Sequence, residues 1–145
     1  MRHLTLSLTV ALLLTALPRP AAAQHLFGDY VIHHGTMLTA NLDPEVARQY
    51  DIRRSDHRGL LTVAVRKSAD NGTKAVRAEV RAVAINLSAQ RRELAMREVD
   101  EGDAIYYLAD FRIDPPETVR IEIHVKPEGA DEESVFEVSR RFHAE

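Results

Sequence analysis

The chain of 145 residues contains no cysteine. In an oxidising compartment that absence excludes disulfide staples, redox dithiols and thiolate metal sites together. Long apolar runs are missing too. The longest, Leu4–Leu17 ("LTLSLTVALLLTAL"), falls short of the roughly 20 residues that a helix needs to cross a hydrocarbon core. No G-x-S-x-G nucleophile elbow occurs, and no internal repeat or low-complexity linker divides the chain. Basic charge is also in deficit, which counts against a general nucleic-acid binder.

What is present begins with a secretory pattern. Arg2 opens a short positive region, Leu4–Leu17 forms an apolar core of signal-peptide length, and Pro18 and Pro20 end it. Ala21-Ala22-Ala23 then places small residues three and one positions before a cut after Ala23. Residues 1–23 are therefore expected to be a cleaved signal peptide, leaving no transmembrane segment. Residues 24–145 are expected to form one periplasmic domain. No cysteine follows the cut to carry a lipid. Removal of the signal takes Arg2 and Arg19 and no acid, so 17 basic and 22 acidic side chains are left, a formal charge of −5. A chain of 122 residues is long enough to pack a core without staples.

Seven segments alternate apolar and polar residues with period two: 28–36, 60–67, 74–86, 91–99, 104–111, 117–126 and 135–143. In "VRIEIHVK", Val119, Ile121, Ile123 and Val125 face one way while Arg120, Glu122, His124 and Lys126 face the other. Such strands with short turns predict an all-β fold. The expectation is an antiparallel β-sandwich of about seven strands, immunoglobulin- or fibronectin-like in architecture. One short helix is predicted over residues 44–50, in the connection between the first two strands. Asp43 is its cap, Pro44 its first residue, and Glu45 complements its positive end.

Turn residues suggest two registers. Asn71-Gly72 favours a two-residue type I′ hairpin, which would set Val65 opposite Ala78, Val63 opposite Val80 and Leu61 opposite Ala82. A shift of the pattern after Ala82 predicts a bulge there. A turn at Glu101-Gly102 would pair Met96 with Tyr107 and Arg97 with Tyr106. One side of this second hairpin, with Leu94, Met96, Ile105, Tyr107 and Phe111, belongs to the core. The other side carries Ala95, Val99, Ala104, Tyr106 and Leu108, and is less polar than a solvated face should be. It is expected to be covered by the 44–50 helix or, failing that, by another chain.

With these segments in place, the chain resembles domain-of-unknown-function family 4426, small exported bacterial proteins. The resemblance rests on "GDYVIHHGTMLTANLDPEVARQYDIRRSDHRGLLTVAV" and "EGDAIYYLADF", and in spacing it spans nearly all of the mature chain. It implies a Gram-negative exported protein of one β-rich domain. It implies no activity, and it lends no role to His33-His34.

Candidate chemistry is sparse. His33 and His34 are adjacent in a strand, so they project to opposite faces and cannot grip one ion. No metal site and no cofactor are predicted. A copper-binding role is the alternative, drawing on His25 near the mature terminus with Met37 and Met96 as soft ligands. Ser55-Asp56-His57 holds the residue types of a hydrolase triad, but triads are assembled from separated positions. A small hydrolase is thus the third reading. Asp100, Glu101 and Asp103 could hold Ca²⁺ weakly, although a solvated turn is the simpler account. "IRRSDHRG" gathers Arg53, Arg54, His57 and Arg58 in one loop of an acidic domain, a place to receive a small anion. The leading expectation is a non-catalytic binding or assembly module in the periplasm. Its partner would be a protein or a small anionic ligand, and Arg54, Arg58, Arg97, Tyr106 and Leu108 are the candidate binding residues.

Overall fold

The computed structural model describes residues 23–143; the expected signal peptide, apart from Ala23, lies outside the described residues. Ten strands form two antiparallel sheets. They are β1 (Ala23–Phe27), β2 (Tyr30–Leu38), β3 (Arg58–Ala69), β4 (Gly72–Ala75), β5 (Ala78–Ile85), β6 (Arg91–Glu93), β7 (Arg97–Asp100), β8 (Ile105–Arg112), β9 (Glu117–Pro127) and β10 (Ser134–Phe142). The first sheet runs β1-β2-β3-β8-β7, with β4 also on β3, and the second runs β10-β9-β5-β6. The all-β sandwich is as expected, with three more strands than the seven predicted. β1 was not foreseen, and two predicted strands are each cut in two.

Both cuts occur where the chain leaves one sheet for the other. After β4 it crosses through Val76 and Arg77, and β5 then pairs with β9 rather than with β3. The predicted pairing of Val63 with Val80 is therefore wrong. Across this turn β3 pairs with β4 and not with β5, as Ala69 opposite Gly72, around a loop of Asp70 and Asn71. Gly72 alone takes positive φ, 111°, and Asn71 does not, so this is not the type I′ turn that the Asn-Gly pair suggested. Nor is there a bulge after Ala82, since β5 keeps one register with β9 from Ala78 to Ile85.

The crossing needs partners for its backbone. The Ala78 amide donates to the Tyr107 hydroxyl at 2.8 Å, and the Glu128 amide donates to the Arg77 carbonyl at 2.8 Å. Tyr107 is buried in the core with its hydroxyl at the crossing, and burial pushes its pKa up, so it stays neutral and accepts. A second crossing separates β6 on β5 from β7 on β8, with the Leu94 amide still bonded to the Ala82 carbonyl at 2.9 Å. The β7–β8 register pairs Arg97 with Leu108 and Val99 with Tyr106. That differs by two residues from the predicted register. With a period of two, the faces are unchanged.

Between the sheets lies one main core, including Leu61, Val63 and Val65 of β3 and Ile121, Ile123 and Val125 of β9. Leu94, Ile105, Tyr107 and Phe111 join it as predicted, and Met96 packs against it. On the outer side of the first sheet the connection 39–57 folds back. It contains α1 (Pro44–Gln49), which is capped by Asp43: one carboxylate oxygen accepts from the amides of Glu45 at 2.8 Å and Val46 at 3.4 Å. Thr39 is fully buried; its hydroxyl donates to the Ser55 carbonyl and accepts from the Ser55 amide at 2.9 Å, closing the connection on itself. Under it Ile52, Leu60 and Leu108 are buried, with Leu42, Tyr50, Val99 and Tyr106 packed around them. The less polar side of β8 is thus covered by its own chain.

The outer side of the second sheet carries ion pairs instead. His124 on β9 bonds through one ring nitrogen to Glu122 at 2.7 Å and through the other to Glu133 at 2.9 Å. Both nitrogens must donate to carboxylates, which favours the imidazolium. The bonds to Glu133 first, then Glu122, raise the His124 pKa, and the histidine holds both carboxyls below their usual range. Arg81 and Arg91 extend the network to Glu133 and Glu122.

Two outcomes follow from this architecture. Tyr107→Phe leaves the Ala78 amide without its acceptor and should cost about 1–3 kcal/mol in urea unfolding; an unchanged midpoint would remove Tyr107 from the crossing. The second concerns pH. The raised His124 pKa lends stability that is complete below its ordinary value and is lost as pH rises through the raised one. The depressed glutamates lend stability that is lost as pH falls through their range. The unfolding midpoint should therefore fall as pH rises above the ordinary histidine range and through the raised His124 pKa, and His124→Gln should flatten that fall.

Candidate functional site

The histidines resolve by strand parity. Gly28 and Asp29 make a two-residue loop that sets Phe27 opposite Tyr30, His25 opposite Ile32 and Ala23 opposite His34. Gly28 takes φ 56°, the sign that a type II′ turn needs at its first central residue. His25 and His34 therefore share the inward side of β1 and β2, while His33 shares the outward side with Ala64 and Tyr106. His33 and His34 are on opposite faces, as the sequence requires.

What sequence reasoning missed is His25 as the neighbour of His34. Phe136 of β10 brings them together: the His25 ring stacks on it at 4.2 Å and 12°, and the His34 ring lies against it at 5.2 Å. His25 Nε2 is also 3.1 Å from the Ser134 hydroxyl. Burial first, then the neighbouring His25 and His33, lowers the His34 pKa. The imidazole is held neutral, the form that can ligate a metal. A readable signal existed in the Gly28-Asp29 pair between "QHLF" and "YVIHH", two short alternating stretches.

Beside this cluster the two sheets leave an open groove of about 840 Å³, running from Ala23 and His34 past Gly35 to Arg140 of β10. On the outward side it continues over Thr62 and Ala64 between Met37 and Tyr106. Met37 is 38% exposed there, whereas Met96 packs on the main core. By register Met37 lies on the side of His33, away from the His25–His34 pair.

The predicted binding residues are brought to one face, and most are occupied within the chain. Arg58 pairs with Asp110 through Nε at 2.7 Å. Arg54 donates to the Ala40 carbonyl at 2.8 Å, and Arg97 donates to the Tyr50 carbonyl. These three arginines pin the 39–57 connection and its neighbours. Leu108 is 6% exposed beneath that connection; Tyr106 is half-buried and borders the groove. Ser55 and His57 meet only through the His57 amide, which donates to the Ser55 hydroxyl at 3.1 Å, a turn contact. In the acidic turn, Asp100 accepts from Gly102 and Arg77, and Glu101 accepts from the Tyr50 hydroxyl. Among the described residues no three His, Asp or Glu side chains gather to hold a metal ion, and no helix is long and apolar enough to cross a membrane.

Two laced antiparallel sheets with a histidine-aromatic side define a β-sandwich domain. The chain belongs to the DUF4426 family, a domain of unknown function, whose profile matches residues 24–145. A crystal structure of a DUF4426 protein from Pseudomonas aeruginosa is similar at 28% identity, with a TM-score of 0.72, covering 86% of this chain and 96% of that one. A copper-bound variant of FetP from uropathogenic Escherichia coli shares the fold at 9% identity and TM-score 0.60, over 86% of this chain and 97% of its own. The as-isolated FetP, expressed recombinantly in the periplasm, gives 12% identity and TM-score 0.54, over 86% and 93%. No curated protein matches.

The depressed His34 pKa has a consequence for acid stability. A base whose folded pKa lies below its ordinary value leaves stability intact above that value and costs stability as pH falls through the range between the two. β1 is the strand that should loosen first. The protection factor of the His25 amide, on β1 opposite Ile32, should fall as pH drops below the ordinary histidine range, and His34→Phe should suppress that fall.

Proposed function

We propose that this chain is an exported, non-catalytic binding module of the periplasm. It works through the side of the sandwich where β1 and β2 meet β10. One observation carries the reading: here a groove of about 840 Å³ opens beside two histidines on a shared face, whereas the arginine face is consumed in internal contacts. That volume lies in the range of small-ligand sites. Two features support export. The family match begins at Gln24, the residue at which the sequence places the mature start, and the preceding residues have the positive, apolar and small-residue order of a signal. Intact mass of periplasmic protein should show loss of residues 1–23, and a full-length mass in the membrane fraction would refute the cut. A photo-crosslinker at Met37 should trap a partner or ligand in the native envelope that one at Glu137, on the outer side of β10, does not. Identical products from both positions would sink the reading.

A second reading is transition-metal binding. It is favoured by the neutral His34 beside His25 on one face, and FetP, which has this fold, is known in a copper-bound form. Imidazoles suit copper, and cleavage after Ala23 would add the Gln24 α-amine next to His25. Calorimetry with Cu²⁺ separates the two readings. A stoichiometric site lost in His34→Ala and kept in His33→Ala establishes the metal reading; weak, scattered binding unaffected by His34→Ala excludes it.

A further inference from the structure

The groove differs in charge from the domain around it. None of its lining residues is a carboxylate, although the mature chain has 22 acidic side chains against 17 basic ones. The arginines elsewhere are largely engaged. Arg77 holds Glu98 and Asp100 of β7, Arg81, Arg91 and Arg120 hold carboxylates on the second sheet's side, and Arg66 and Arg92 donate to carbonyls. The guanidinium of Arg140, on the groove rim, has no hydrogen-bond or ion-pair partner among the described residues. The floor is built from the short side chains of Gly35, Thr62 and Ala64, and its walls are Met37 and Tyr106.

We infer that this groove binds a single-chain fatty carboxylate. Its head pairs with Arg140, and its alkyl chain lies along the floor between Met37 and Tyr106. The inference rests on the binding-module reading and gives it a ligand class. A guanidinium presents parallel donors that match a carboxylate. An open apolar trough takes an unbranched chain at little steric cost, and the volume suits one small molecule. A membrane surface fits less well, because an acidic domain is repelled by anionic bilayers and the neighbouring outer face carries Glu122, Glu133 and Glu137.

The test is calorimetric titration of the periplasmically purified protein with dodecanoate below its micelle concentration. Dodecyltrimethylammonium and dodecan-1-ol serve as controls. Saturable one-to-one binding of dodecanoate is expected, with no binding of the cationic amphiphile and an affinity at least about tenfold weaker for Arg140→Ala. Ala64→Phe, which fills the floor, should abolish binding while thermal unfolding shows an intact domain. Absence of saturable dodecanoate binding overturns the inference, as does equal affinity for all three amphiphiles. Capture only by phosphatidylglycerol vesicles, with no monomer binding, overturns it too. If dodecanoate fails while Met37 crosslinks persist, the ligand class falls and the binding module stands; if both fail, both fall.

Discussion

The face-to-face contact of two apolar sheet surfaces, made without a covalent tie, governs this domain. Leu61, Val63 and Val65 on β3 and Ile121, Ile123 and Val125 on β9 are essentially sealed from water. Such burial is worth about 25 cal/mol per Å² of apolar surface, and it accrues only if every second residue of each strand points inward. The same alternation commits the intervening residues to the outside. The two outer faces then meet water by different means. The second sheet covers itself with the His124, Glu122 and Glu133 network. The first sheet is roofed at one end by the connection 39–57 and left open at the other, beside β10.

That asymmetry explains what the charged residues do. Arg54, Arg58 and Arg97 looked like an anion-seeking group because they cluster in an acidic chain. They are spent holding the roof: two donate to backbone carbonyls of the connection and one pairs with Asp110. Leu108 lies beneath that roof as part of a small second core. The groove is displaced across the sheet, toward the strands that the roof does not reach.

Period-two alternation made most strands readable, and residues such as Ile121 and Ile123 could be assigned to the core from pattern alone. The helix at Pro44–Gln49 was legible because its cap is local, a matter of Asp43 and the next amides. Topology was not. Asn71-Gly72 is a good local hairpin signal, and a hairpin does form; but β4 is four residues long, and alternation cannot say which sheet the chain joins after Val76. That choice is made by distant partners, Tyr107 for the Ala78 amide and β9 for the strand. The site was half legible. Parity separated His33 from His34, whereas the companion of His34 came from β1, a five-residue strand that the alternation did not reveal.

The two crossings have a further effect. Because β4 leads into β5 and β6 into β7, neighbouring segments of chain end in opposite layers, and the paired residues of β3 and β8, such as Ala64 and Tyr106, lie far apart in sequence. Neither layer can be completed from one continuous stretch. Such a chain gains little from local contacts alone and must close long loops before its strands are rewarded. Assembly should be slow and all-or-none. In the interval, both layers expose unpaired edges, leaving the newly made polypeptide most open to misassociation.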